Sequence, residues 1–422
     1  MIPHPARLTR PGVRNRWSGE KKVLKRVAQV LGLVVILPLL AYLLFWPTPI
    51  QPQAWTPPKA PAAEGVYAPN DRLRALQRLG QGSGLGPEGI AVDAEGRVYA
   101  GFLDGRIVTF SANGASYQEL ATVEGGRPLG ISLAPGGGLV IADAHRGLLG
   151  LEPAQPLKTL LTEAGGAPLV FADDVDLAAQ SGKLYLSDVA IYPYAQMMYE
   201  VLEHRGTGRL IEYDPASGAS RVLLGGLQFA NGVAVGPDEA YVLVNETSAY
   251  RITRYWLKGE KAGTSEVFID NLPGLPDNLS FNGRDRFWVA LYAPRDALLD
   301  AVLPGPAWVK KLLSRLPRKL LAPPPTKAWV LGLDLDGKVI ANLQYEGKDA
   351  YAPITSVEES GPWLYFGSLS AEGLARLPLQ SVFADAPPPP LGWERTPARP
   401  HHFVPPKLGY TPPEEEGQGA GR

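Results

Sequence analysis

The chain has 422 residues, 45 % of them hydrophobic and 20 % charged, with a formal net charge of −1. This balance excludes an overall basic field for nucleic acid. The absence of Cys excludes disulfides, thiolate metal sites and cysteine nucleophiles.

Residues 27–46 form a run of 20 residues without a charge, long enough to cross ~30 Å of hydrocarbon as a helix despite Pro38. Before it stand Arg7, Arg10, Arg14, Arg16, Lys21, Lys22, Lys25 and Arg26 against the single acid Glu20, and the next basic residue after it is Lys59. That asymmetry predicts a single-pass anchor, with a basic tail over 1–26 in the cytoplasm and the rest of the chain periplasmic or extracytoplasmic. A cleaved signal peptide is the rival reading. The long basic region and the lack of a small-x-small site favour the uncleaved anchor. Residues 47–70 form a Pro-rich linker, in which 51–63 reads as a spacer. Residues 386–422 are rich in Pro and Gly, end in an acidic patch, and are expected to be a tail without fixed structure.

Between these ends the period is that of strands. The phrase GPEGIAVDAEGRVYAGFLDGRIVTF from Gly86 holds three alternating apolar runs separated by turn dipeptides, a hairpin signature. It returns from Arg127 (RPLGISLAPGGGLVIADAHRGLLGL), Phe171 (FADDVDLAAQSGKLYLSDVA), Phe229 (FANGVAVGPDEAYVLVNET), Leu275 (LPDNLSFNGRDRFWVALY) and Ala352 (APITSVEESGPWLYFGSLS). Gly89 and Gly130 are 41 residues apart, and Gly130 and Asp174 are 44 apart. Six such repeats predict an all-β, six-bladed propeller over 71–385. Two long gaps carry insertions, at about 191–205 and 295–325. The second sets Trp308, Val309, Leu312, Leu313 and Leu316 among Lys310, Lys311, Arg315, Arg318 and Lys319. It is expected to be a short helical cap, with a membrane-touching segment or substrate lid as the sharper reading.

The six copies align on Ile90, Ile131, Val175, Val233, Leu279 and Val357. Two positions earlier stand Glu88, Leu129, Asp173, Asn231, Asp277 and Thr355. One position earlier stand Gly89, Gly130, Asp174, Gly232, Asn278 and Ser356. First strands of blades line the propeller channel, so Glu88, Asp173, Asn231 and Asp277 are expected to converge, with Asn278 as a fifth oxygen donor. An oxygen-only set rich in carboxylates suits calcium. The bland alternative is turn residues capping strand starts. Asp174 is expected to orient a neighbour or to hold a second, structural ion.

The phrases GRPLGISLAPGGGLVIADAHRGLL, FADDVDL with KLYLSD, GRLIEYDP, and the run from LQFANGVAV to LPGLPDN resemble the strictosidine synthase-like family, in particular the adipocyte plasma membrane-associated protein group. More distantly the chain is similar to paraoxonase and gluconolactonase propellers. The resemblance implies an axial calcium, with Glu88, Asp173, Asn231, Asp277 and Asn278 on the paraoxonase ligand positions, and hydrolysis of the arylesterase type. One departure matters: the plant synthases carry a catalytic glutamate at the position of Thr355, so amine–aldehyde condensation is not expected here.

A calcium-dependent hydrolase of small esters or lactones is therefore the expected function, with His145 or Asp277 as the base. A non-catalytic tethered scaffold with a structural calcium, or a small-metabolite synthase or lyase, are the alternatives. The sequons at Asn245 and Asn278 are possible glycan acceptors, Asn278 the less credible as a ring donor.

Overall fold

The computed structural model describes residues 16–321 and 325–383. The first part of the basic tail and the acidic Pro/Gly tail lie outside the described residues. Helix α1, Arg16–Phe45, contains a 24-residue stretch, Lys22–Phe45, long and apolar enough to cross a membrane. It stops where Pro47 forbids another turn.

Six four-stranded antiparallel sheets follow as blades around one axis. Five are built in sequence order. The sixth takes three strands from the end of the propeller and its fourth, Gln77–Leu79, from the beginning, with Gln77 opposite Arg376 and Leu79 opposite Leu374. That pairing closes the ring and removes the free edge that each terminus would otherwise expose.

The reason for a ring lies between the blades. Each of the six blade junctions holds an apolar cluster: Trp288, Val330 and Phe366 between the fifth and sixth blades, Leu243, Phe287 and Trp329 between the fourth and fifth, and Phe110, Ile90 and Tyr365 where the sixth meets the first. A lone blade would leave both of these faces wet. Trp288 and Phe366 are fully buried, and truncating such a ring to alanine costs roughly 3–5 kcal/mol.

The two insertions are helical and stand over one end of the propeller. The first carries α2, Met197–Glu203; the second carries α3, Ala297–Val302, α4, Ala307–Leu313, and α5, Arg318–Leu321. Asp296 caps α3 by accepting from the Leu299 amide at 2.7 Å. The Pro-rich stretch expected to act as a spacer is instead held against the body. Ile50 is buried among Tyr192 and Leu202, the Gln51 amide donates to Glu203 Oε1 at 2.6 Å, and Trp55 stacks on His204 at 4.2 Å. Polyproline backbone has no internal hydrogen bonds, so it is free to accept from Arg295, which donates to the Pro58 carbonyl at 2.6 Å.

Candidate metal centre on the propeller axis

Five of the six inner strands share one irregularity. In the third blade Ala172 pairs with Asp188 and Val175 with Leu186, so Asp173 and Asp174 together oppose one residue. The same shift falls at residues 129–130, 231–232, 277–278 and 355 of their strands. A regular strand sends consecutive side chains to opposite faces. A bulge re-aims them: Asp277 lines the pocket, and Asn278 turns its amide to Glu88.

Close approach of neighbouring strands tightens the ring. A Cβ on Gly232 would fall 2.5 Å from Asn278 Cα and 2.6 Å from the Asp277 oxygen, and one on Gly89 would fall 2.1 Å from the Leu129 oxygen. Only glycine permits this spacing.

Glu88, Asp173, Asn231 and Asp277 form the polar floor of one pocket of about 500 Å³, and Asn278 Nδ2 donates to Glu88 Oε1 at 2.8 Å. All five are buried. Asn231 donates its amide to Asp277. Both asparagines thus spend their N–H groups on carboxylates and turn their carbonyl oxygens elsewhere. Neighbouring residues pin the backbone behind them. The hydroxyls of Thr355 and Ser356 donate to the Glu88 carbonyl at 3.0 and 2.6 Å, Thr247 donates to the Pro276 carbonyl at 2.6 Å, and Asn245 donates to that of Asp277. Asn245 is thereby fully buried and out of reach as a glycan acceptor.

What remains is a set of acceptors without donors. Glu88 Oε2, Asp173 Oδ2, Asn231 Oδ1 and Asn278 Oδ1 are buried with no hydrogen-bond partner. Such atoms cost free energy unless something positive meets them. Burial, with mutual repulsion, pushes Asp173 and Asp277 well above the usual carboxylate range, and burial raises Glu88 to about 7 against the pull of Arg127 and Asn278. The donor chemistry fits a hard cation. Among the described residues no three His, Cys, Asp or Glu side chains are drawn in closely enough to hold an ion by themselves; here the unsatisfied oxygens are divided between carboxylates and amides.

Arg127 was not anticipated. It is completely buried, donates Nη1 to the Gly86 carbonyl at 2.9 Å, and is the cation acting on Glu88 and Asp173. It sits two residues before Leu129, in one of the two blades whose ring position is neither acid nor amide. Asp174 does not enter the pocket. It accepts from the Val175 and Val233 amides at 2.9 and 2.8 Å, stapling the third blade to the fourth.

His145 lies on the exposed turn between two strands of the second blade. Its Nδ1 is 3.0 Å from the Gly125 carbonyl, and it does not line the pocket, although it meets the pocket residue Tyr194 edge-on at 6.0 Å. His204 is buried against Trp55 and also lies outside the pocket. Neither glutamate near Thr355 reaches the pocket: Glu358 lines a separate cavity lower in the channel, and Glu359 accepts from Trp288 Nε1 at 2.7 Å.

Above the floor the walls are apolar. Phe171, Met197, Val201 and Phe229 come from the propeller rim and α2, and Leu299, Val302, Val309 and Leu313 from α3 and α4. The second insertion is thus a lid over the pocket.

A six-bladed propeller with a buried, oxygen-lined axial floor beneath a helical lid is the class these features define. The strictosidine synthase family profile matches residues 173–260, and that of the strictosidine synthase-like N-terminal region matches 65–110. The adipocyte plasma membrane-associated protein of Salmo salar is 32 % identical over 400 residues, covering 89 % of this chain and 95 % of that protein. Protein strictosidine synthase-like 10 of Arabidopsis thaliana is 37 % identical over 338 residues, 72 % of this chain and 90 % of that one. The chain belongs to the strictosidine synthase-like family, in the adipocyte plasma membrane-associated protein group. In fold it is similar to a gluconolactonase from Xanthomonas campestris, with a TM-score of 0.51 at 16 % identity over 78 % of this chain and 98 % of that one.

Proposed function

We propose that this protein is a membrane-anchored, calcium-dependent hydrolase of small esters or lactones. The observation that carries the reading is the set of buried, unpartnered oxygens of Glu88, Asp173 and Asn231 at the foot of an apolar pocket, with the unpartnered oxygen of Asn278, whose amide is bonded to Glu88, beside them. Glu88, Asp173, Asn231, Asp277 and Asn278 would hold the cation, which when bound supplies Lewis-acid polarisation of a carbonyl. The apolar walls bind the non-polar part of the ester and exclude bulk water. Asp277 is the base of choice: it lies on the floor, and Asn231 orients it through its amide. His145, exposed outside the pocket, is the weaker choice. With Thr355 donating to the Glu88 backbone where the synthases have glutamate, condensation has no catalytic group.

The membrane part of the proposal rests on α1, on the basic residues before and within its first turns, and on the names of the relatives. It places the N-terminus in the cytoplasm and the propeller on the far side. The lack of a histidine at the floor favours one alternative, a tethered binding propeller in which the ion is structural. Purified protein assayed on phenyl acetate and a panel of lactones, with calcium and with chelator, separates the two. Chelator-sensitive turnover supports the hydrolase. Calcium-dependent stabilisation with no turnover on any member supports the binding propeller.

A further inference from the structure

Helix α1 does not end in a free linker. Its last carbonyls, which have no partner within a helix, are capped by the lid. Arg315 Nε donates to the Trp46 carbonyl at 2.7 Å and Nη1 to that of Leu43 at 3.0 Å. In return Tyr42 donates its hydroxyl to the Arg315 carbonyl at 3.1 Å, and Thr48 meets Ser314 at 3.0 Å. A cation at a helix C-terminus is also favoured by the helix dipole.

The lid presents apolar side chains to the outside beside this junction. Leu298, Trp308 and Leu320 are 74 %, 66 % and 72 % exposed, more than any other large apolar side chain among the described residues after Trp46 in the chain. Leu298 and Leu320 also line the pocket, so they form its rim. The lid is less basic on its outer face than its sequence suggests, because Lys310 is buried, donating to the carbonyls of Leu303 and Gln53.

We propose that the outer face of the lid, Leu298, Trp308 and Leu320, rests in the surface of the same bilayer that α1 crosses, so that the pocket mouth opens onto lipid. The membrane-spanning reading of α1 is the premise. At 1.5 Å per residue the 24 residues of Lys22–Phe45 span about 36 Å, slightly more than the ~30 Å of hydrocarbon, which sets the helix end at headgroup level. Tyr42 and Trp46, with ring centroids 5.6 Å apart, are an aromatic pair suited to that level. Arg315 is bonded to the same turn, so the end of α4 shares that depth. Trp308 is seven residues from Arg315, within about 10 Å along a helix, a distance that stays inside the interfacial layer for a segment lying flat. The occupant of this apolar face is therefore acyl chain and headgroup, and a substrate dissolved in the membrane meets the rim without crossing water.

The chain has no Cys, so single probes can be placed on the full-length protein. Leu298→Cys, Trp308→Cys and Leu320→Cys would each carry an environment-sensitive fluorophore in phosphatidylcholine–phosphatidylserine vesicles containing brominated lipid. Leu33→Cys in α1 and Tyr117→Cys on an outer strand serve as references. The expected result is quenching by bromolipid at the three lid sites at least about twofold above that at position 117, as for interfacial helices. Lid probes quenched by aqueous iodide like position 117 would place the face in water and overturn the proposal. Probes shielded from both quenchers would mean that protein, such as a second copy, covers the face, and would overturn it too. Position 33 separates the premises: without bromolipid quenching there, the spanning helix itself fails. No readout depends on calcium or turnover, so the hydrolase proposal stands or falls separately.

Discussion

Replacing Glu88 with Gln removes a charge and keeps the shape, including the acceptor for Asn278. Burial raises the Glu88 carboxyl from 4.5 to about 7, so in the cation-free protein its ionisation opposes folding. The sign follows from linkage. Unfolded chain releases this proton near 4.5 and folded chain near 7, so stability falls as pH rises through that window and the loss is complete above it. At about 1.4 kcal/mol per unit the ceiling is about 3.5 kcal/mol, or roughly 5 °C in melting temperature for a domain of this size. With chelator at pH 8, Glu88→Gln is therefore expected to melt up to roughly 5 °C above the parent, with the gain fading toward pH 4.5. Calcium should narrow that gap, because at a hundredfold excess over Kd a bound ion stabilises the parent by about 2.7 kcal/mol and the variant, lacking one anionic ligand, by less. The assay is thermal unfolding of both proteins across pH with chelator and with calcium. A variant that melts lower in chelator, or two proteins raised equally by calcium, would refute the reasoning.

Asp277→Asn is expected to lower phenyl acetate or lactone turnover by about 10²–10⁴-fold while the protein still folds, whereas His145→Ala, altering an exposed residue, should leave it within about twofold; steady-state kinetics on both variants checks the assignment of the base. Gly232→Ala drives a Cβ into Asn278 and Asp277 and is expected to lower stability by about 1–3 kcal/mol and to weaken calcium stabilisation more than Gly225→Ala, whose Cβ meets nothing, as melting curves with and without calcium would show. His204, held down to about 4 by burial and by Lys310 and Arg251, stays neutral in the folded protein. Its contribution to stability is present above its unfolded value and is lost as pH falls from 6.5 toward 4; His204→Asn, which tolerates the left-handed backbone there at φ 50°, should melt lower at neutral pH but with a shallower acid slope.

The ring was legible because repeats impose a register: once Ile90, Val175, Val233 and Leu279 are aligned, the acids and amides before them fall into one column. The bulge was not legible. Alternation alone sends Asp277 and Asn278 to opposite faces, and only the strand pairing shows that both are re-aimed. Arg127 gives no periodic signal, since it belongs to no repeated column. The closing strand Gln77–Leu79 is three residues long and lies outside the repeats. The docking of 47–60 was hidden because Pro-rich composition describes how stiff a segment is, and its partners, Glu203, Leu303 and Lys310, sit far away in sequence.

The measurement that bears most directly on the account is a crystal structure grown with calcium, or with a lanthanide in its place for anomalous scattering. The account predicts one strong peak on the propeller axis, about 2.3–2.6 Å from side-chain oxygens of Glu88, Asp173, Asn231, Asp277 and Asn278. Those five side chains contacting only water or each other, with the ion elsewhere or nowhere, would contradict it.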